Sequence, residues 1–567
     1  MDRSVPGVFL AALAIVCGLL ELPSSAQEIR FTVGGGPGTP VDRRLFGHFL
    51  ERASWGEPGP EGALVPGTHD LDPRVVDLLK AMRIPIIRFP GGTDVDYIDW
   101  RDMISNVPGR DGQDRPVTIG RSGKPITNRF GYDEYFRLRD TLGCQTIIVV
   151  NLLDAVSKKR PLREAALLAA GLLAYTNAPV GARLPDGMPD WPAVRAKNGH
   201  PAPYGVEFFQ IGNEWWGFKT RAMQAAGIED PRQAGLWYAE CLNAYIAMMK
   251  AVDPKIEIII DGAGATDPLM AAVLEDPAIR RTARYATFHS YAPGSMDNLK
   301  RDGKPYPFDK ITAEELWQAW VAMPGGFDGD GLNVAFGSQI GYARGLGYRI
   351  VCTEWNWNGW GLDRIQPRPE IDPAAAKAIG AAGFLHGLMR AGDAMDLACQ
   401  SNLIGCGWIL GCVQVDRNEG KGPPYYSSTG QVTMFYALHH GDRLLPVRAE
   451  NVPTFAQPYT VGWTSGKPKV AFLDAVATAD GRTLYFHAVN RHMSRSFDVK
   501  IDLGQAGGME PRAVHHVMVG RLKDRPGPGE TAEVMTVARR PLEVSGGTVA
   551  VTLPARSISC IEIPRKE

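Results

Sequence analysis

The chain has 567 residues, a formal net charge of −1 and a 44% hydrophobic composition. That is too long for one small domain and too balanced in charge for a protein built to hold a polyanion. Nucleic acid is therefore excluded as an expected partner.

The chain opens with MDRSVPG, an apolar stretch VFLAALAIVCGLLEL, and then PSSA. A short polar start, an apolar run and small residues before a cut form a secretory leader, here residues 1–26 with cleavage after Ala26. The run is about fifteen residues, where a membrane-spanning helix needs roughly twenty. Export to the periplasm or the extracellular space is expected, with no membrane attachment after cleavage. Of the eight cysteines, Cys17 lies in the leader. The other seven are scattered in apolar settings without a C-x-x-C pair, which predicts free thiols and gives no metal and no cofactor.

In chain order, EIRFTVGG supplies a strand that precedes the main pattern; residues 27–40 are expected to join a later sheet. Arg44–Arg52 then runs apolar into Glu51. Asp72 before Pro73 marks a helix start, with Val75, Leu78, Leu79 and Met82 at helical spacing. Strands are predicted at Ile84–Gly92, Thr146–Leu152, Val206–Gly212, Ile256–Gly262, Tyr285–Tyr291, Arg349–Glu354 and Leu403–Leu410. Helical patterns separate them, as at Pro161–Tyr175, Leu236–Val252 and Ala374–Gly392. Eight strands alternating with helices predict an α/β fold, a (β/α)8 TIM barrel over residues 41–440; a doubly wound open sheet is the alternative. No glycine-rich phosphate loop joins a strand to a helix, and polar groups recur where strands end, both of which favour the barrel. After about residue 441 short strands alternate with period two, as in Phe497, Val499, Ile501 and Leu503. This predicts a C-terminal all-β sandwich over 441–567, with the early strand joining it. The Gly/Pro-rich stretches 104–130 and 293–331 are expected to be long loops.

Two segments share one grammar. RIVCTEWNWNGW runs apolar into Glu354 and then into tryptophans, and VEFFQIGNEWWG runs into Glu214, Trp215 and Trp216. A strand buried on both faces accepts a carboxylate at its end, where loops open, far better than at its middle. Counted from the strand of Glu51, the two acids end the fourth and seventh strands. Paired carboxylates flanking a sugar, beside aromatic faces, are the working parts of most glycosidases. At those two positions the carboxyl groups are expected about 5 Å apart, the spacing of a retaining mechanism. A buried Arg88 needs a carboxylate partner, and Glu354 is the natural one. His289 and Tyr291 are either hydrogen-bonded barrel residues or site-lining ones, and Trp100, Trp215, Trp357 and Trp360 are divided between core and sugar platform.

The ordered set GHFLE (47–51), RFPGG (88–92), IGNE (211–214), HSY (289–291), TEWN (353–356), FHAVNR and LPARSISCIEI resembles the family 51 glycoside hydrolases, chiefly α-L-arabinofuranosidases of the retaining clan A. The resemblance runs along nearly the whole mature chain. It implies Glu214 as acid/base and Glu354 as nucleophile, with Glu51 and Asn213 holding sugar hydroxyls and Arg88 and Tyr291 supporting the nucleophile. It also implies a carbohydrate partner bearing arabinofuranosyl groups. The pattern departs from the family around the sugar: Thr93 and Asp94 follow PGG where Asn is usual, Trp215, Trp216 and Gly217 follow the acid/base, and Gln400 or Cys399 takes the sugar-contacting position before Asn402. The expected substrate-binding set is thus Glu51, Arg88, Asn213, His289, Tyr291, Gln400 and Trp100. An endoglucanase or another retaining clan A glycosidase is the enzymatic alternative, and an inactive carbohydrate-binding protein the other.

Overall fold

The computed structural model describes residues 27–566, apart from 53, 55–58, 217–218, 264–266, 323–336, 366–369, 372, 407–409, 416–421, 463 and 520–535. The proposed leader, 1–26, and Gly217 lie outside the described residues.

Strand β1 (Ile29–Val33) leads into the barrel strands β2 (Gly47–Phe49), β3 (Ile86–Phe89), β4 (Gln145–Val150), β5 (Phe208–Ile211), β6 (Glu257–Asp261), β7 (Tyr285–Pro293), β8 (Arg349–Asn358) and β9 (Met395–Ser401). These eight close in the order β7-β8-β9-β2-β3-β4-β5-β6, and every barrel pairing is parallel. Helices that matter below are α1 (Pro73–Ala81), α2 (Tyr132–Leu142), α3 (Leu162–Asn177), α4 (Pro231–Val252), α5 (Pro373–Arg390) and α6 (Ser428–Leu438). Asp72 caps α1 as its spacing suggests, its carboxylate accepting from Arg74 N while Pro73 occupies the first turn, where a missing N–H costs nothing.

One expectation is corrected. The last barrel strand is Met395–Ser401, not Leu403–Leu410; among the described residues of that segment Ile404–Gly405 forms a short strand in a separate three-stranded sheet. MDLACQS hides its strand character because Asp396 and Gln400 interrupt the apolar run. Asp396 is held by an ion pair with Arg349 on the neighbouring strand, so its charge is matched near the barrel floor.

Inward residues Phe49, Ile86, Ile147, Phe208, Ile259, Tyr285, Val351, Leu397 and Cys399 form a closed cluster that fills the barrel. Burying a large apolar side chain contributes roughly 1.5–3 kcal/mol. The interior is therefore a packed floor, and polar residues one step further along each strand are lifted to its carboxyl end.

The second unit contains β10 (Val447–Glu450), β11 (Leu473–Ala479), β12 (Thr483–Asn490), β13 (Phe497–Asp502), β14 (Arg512–Val519), β15 (Thr536–Ser545), β16 (Thr548–Leu553) and β17 (Ser557–Pro564), all in one eleven-stranded curled sheet. β1 lies between β10 and β13, with Phe31 and Val33 in the sandwich core. Along β12 and β17 one face (Phe486, Ala488, Ile561, Ile563) packs inside the sandwich, while the other (Val489, Ile558, Cys560) joins the barrel's own core. Period-two alternation here means two buried faces rather than one wet and one dry.

Of the 293–331 stretch, residues 293–322 are described and are more ordered than a loop. It carries a helix, Ala313–Val321, started by a reciprocal Thr312/Glu315 cap, and Trp317 is buried and donates to Arg491 O at 2.7 Å. The seven described cysteines are free, six of them buried.

Candidate active site

Seven of the nine predicted site residues meet at the carboxyl end of the barrel: Glu51, Arg88, Asn213, Glu214, His289, Tyr291 and Glu354. Arg88 on β3 is wholly buried and works as a three-way anchor. Its Nη1 donates to Glu354 Oε1 at 2.8 Å, its Nη2 to Asn213 Oδ1 at 2.6 Å and its Nε to Gln210 Oε1 at 2.9 Å, with Phe49 stacked 4.6 Å from the guanidinium. The planar fork thereby fixes the ends of β5 and β8 relative to each other, which a lysine's point charge would not do.

Glu354 receives a second hydrogen bond, from Tyr291 Oη at 2.7 Å. The Tyr291 oxygen also lies 2.6 Å from Ser401 Oγ, whose own proton can point back to it. Strand β8 delivers this carboxylate through a bulge. The β7–β8 register passes from Phe288↔Cys352 to His289↔Glu354, skipping Thr353, so two successive side chains, Thr353 and Glu354, reach the same interior. Bulges re-aim side chains in this way next to active sites.

Glu214 follows β5 in a left-handed backbone conformation, φ 55°, which costs a non-glycine residue roughly 1–2 kcal/mol. Trp215 N donates to the buried Asp261 at 2.7 Å and helps hold that turn. Burial pushes the Asp261 carboxyl up to about 8. The Glu214 side chain is 24% exposed against 8% for Glu354. His289 lies between them, its Nδ1 2.8 Å from Glu214 Oε1 and 3.4 Å from Glu354 Oε2, its Nε2 2.9 Å from Thr353 Oγ1. Burial pushes this imidazole down to about 3, so it is neutral and can donate from one nitrogen only. The ligating atoms of Glu214, His289 and Glu354 all lie within 4.8 Å of one another.

Glu51 is buried behind this group. Burial, and then the nearby charge of Glu354, raise its carboxyl well above the usual range. Asn402 Nδ2 approaches Glu51 Oε2 at 3.3 Å. A Cβ at Gly92 would strike Glu51 Oε1, so that carboxylate would have to shift. Asn213 Nδ2 is buried without a partner among the described residues, a donor facing the cleft end of the barrel.

Two predicted site residues stand elsewhere. Gln400 points out of the barrel: its Oε1 accepts from Thr433 Oγ1 of α6 at 2.5 Å and lies 3.3 Å from Cys412 Sγ. Strand alternation places Leu397, Cys399 and then Ser401 inside, so Ser401 and Asn402 take the positions expected of Gln400. Trp100 is 6% exposed, donates to Leu168 O on α3 at 2.8 Å and packs 4.6 Å from Trp191. It is core. The aromatic rings that do border the site are half-buried: Trp216, edge-on to His289 at 4.9 Å, and Trp360, 5.7 Å from Tyr291. Asp94 also has another employment, accepting from Ser54 N and Arg121 N at 2.6 Å each, which pins two rim segments together. Gln210 and Ser401 are site residues that the sequence analysis missed; Gln210 had a signal, a polar residue within an otherwise apolar strand, and Ser401, on a strand masked by Asp396 and Gln400, had none.

Retaining glycosidases hold their carboxyl groups about 5–5.5 Å apart, inverting ones about 6.5–9.5 Å. One oxygen of Glu214 lies within 4.8 Å of one oxygen of Glu354, which is compatible with the shorter spacing. A family model described as the alpha-L-arabinofuranosidase 1 domain matches residues 78–297. The crystal structure of an alpha-L-arabinofuranosidase from Thermotoga maritima in complex with arabinose superposes with a TM-score of 0.69 at 22% identity, over 94% of this chain and 100% of that one. The chain therefore shares the fold of that structure at low sequence identity. Among curated relatives, an intracellular exo-alpha-(1->5)-L-arabinofuranosidase of Halalkalibacterium halodurans is 23% identical over 82% of this chain and 84% of its own. An exo-alpha-(1->6)-L-arabinofuranosidase of Bifidobacterium longum is 25% identical over 95% and 98%. No helix among the described residues is long and apolar enough to cross a membrane.

Proposed function

We propose that this protein is a retaining α-L-arabinofuranosidase that removes non-reducing-end arabinofuranosyl groups from plant-type oligo- or polysaccharides, after export through its leader. The observation that carries the reading is the pair of carboxylates, Glu214 and Glu354, within 4.8 Å of each other with a neutral His289 between them. Glu354, matched in charge by Arg88 and hydrogen-bonded by Tyr291, attacks the anomeric carbon and forms a covalent glycosyl-enzyme. Glu214, more exposed than Glu354, protonates the departing oxygen and then takes a proton from the incoming water. Its hydrogen bond with His289 supports both states: the neutral ring donates to the carboxylate or accepts from the acid by exchanging tautomers, with Thr353 Oγ1 answering at the other nitrogen.

The names of the relatives support arabinofuranose as the sugar. The displaced Asp94 and the Trp216 ring leave room for a second reading, a retaining glycosidase of another sugar or an endo-acting one. A panel of nitrophenyl glycosides separates the two: hydrolysis of the α-L-arabinofuranoside well above the glucoside, xyloside and cellobioside supports the proposal, and the reverse order removes it. NMR of the first-formed product should show retained configuration. Fractionation of the native host, with the mature protein outside the cytoplasm and starting near Gln27, tests export.

A further inference from the structure

A second cluster of imidazoles and a carboxylate lies far from the catalytic one in the fold, where the barrel meets the sandwich. His516 on β14 and Glu562 on β17 come from adjacent strands, on the sheet face that packs against the barrel. His439 comes from the other side, directly after α6. His439 Nδ1 lies 2.6 Å from Glu562 Oε1 and His516 Nε2 lies 3.0 Å from Glu562 Oε2, so two rings converge on opposite oxygens of one carboxylate. The rings themselves are 4.4 Å apart at 40°. All three donor atoms fall within 4.8 Å of one another.

We propose that His439, His516 and Glu562 form a zinc-binding site that pins the catalytic barrel to the β-sandwich. Two imidazoles and a carboxylate suit zinc and disfavour magnesium or calcium, which take oxygen donors. Bonds of about 2.0–2.1 Å in a tetrahedral array put donor atoms roughly 3.3 Å apart, so the 2.6 and 3.0 Å contacts open by about 0.7 and 0.3 Å on binding. Side-chain exposures of 19% for His439 and 25% for Glu562 leave an edge through which the ion enters and on which water completes the shell. The site also abuts the C-terminal end of α6, where the helix dipole favours a cation.

The test uses the full mature protein, stripped with a chelator, given zinc and freed of excess by desalting. Wild type should retain one zinc more per chain than His439→Ala and His516→Gln, and Glu354→Gln should retain as much as wild type. Zinc should raise the melting temperature of wild type and leave that of His439→Ala unchanged, while His439→Ala hydrolyses the activated substrate as wild type does. Cobalt in place of zinc should give visible d–d absorption that His439→Ala lacks. His439 is a half-buried residue at a helix end, so its alanine variant retains the fold, which circular dichroism checks. Equal zinc in wild type and His439→Ala, or zinc lost only in Glu354→Gln, overturns the site. Glu562→Gln resolves the remaining case of a hydrogen-bonded triad without metal: equal melting temperatures with and without zinc in wild type count against the proposal.

Discussion

The ends of β8 and β5 each carry one carboxylate, yet they are built by opposite means. Glu354 is buried, bulged into the barrel and gripped by Arg88 and Tyr291, so its charge is compensated before any sugar arrives. Glu214 rides on a strained turn, three times as exposed in its side chain (24% against 8%), with a neutral histidine for its near partner. One end is arranged to keep a charge and the other to exchange a proton. Two identical side chains thus acquire different work from their surroundings alone.

The largest break in that comparison is at β8. Glu354→Gln should lower kcat on the order of 10⁶-fold, as for other covalent nucleophiles, even with a nitrophenolate leaving group, and no burst should precede the steady state in stopped-flow absorbance. A variant of near-normal activity would take Glu354 out of the mechanism. At β5, Glu214→Ala should cost about 10²–10⁴-fold on substrates with poor leaving groups and far less on activated ones. Added azide should restore turnover with retained configuration, read by NMR of the glycosyl azide; an inverted azide product would exchange the two roles.

Glu51 sharpens the contrast from a third strand. Its carboxyl is raised by burial and by Glu354, which favours the neutral acid, the form that glutamine mimics. Glu51→Gln should therefore lose less than about tenfold in kcat/KM, roughly the worth of one neutral hydrogen bond, whereas the same exchange at Glu354 abolishes turnover. Steady-state kinetics of the two glutamine variants side by side decides it.

The smallest effect concerns His289 and pH. Its folded pKa is lowered to about 3 from an ordinary 6.5. The unfolded chain therefore takes up a proton below pH 6.5 that the folded chain refuses, and stability falls as pH drops from about 6.5 towards 3, by roughly 1.4 kcal/mol per pH unit for this one group. Urea unfolding at pH 7, 6 and 5 should show a slope that is one proton shallower in His289→Gln than in wild type. An unchanged slope would mean that the imidazole is charged in the fold.

What the residues determine by themselves is the order of elements and the placement of chemistry along them. A run such as VEFFQIGNE is apolar, β-forming and then acidic, and any fold that buries the run must leave its acid at the end. Repeating that logic eight times reaches the barrel, and the two long strand ends reach Glu214 and Glu354. The one strand misread, Met395–Ser401, was masked by Asp396, whose charge is matched only by Arg349 on the neighbouring strand. Side-chain direction needed the tertiary structure. Whether Gln400 or Ser401 faces the cleft depends on the register against β8 and β2, because a shift of one residue turns every side chain to the other face. Trp100 is core because α3 and Trp191 close over it, and Trp216 borders the site because the turn holding Glu214 throws it out beside His289. The bulge at Thr353 and the meeting of His439 with His516 and Glu562 had no local signal, since each is a contact between segments that only chain closure brings together.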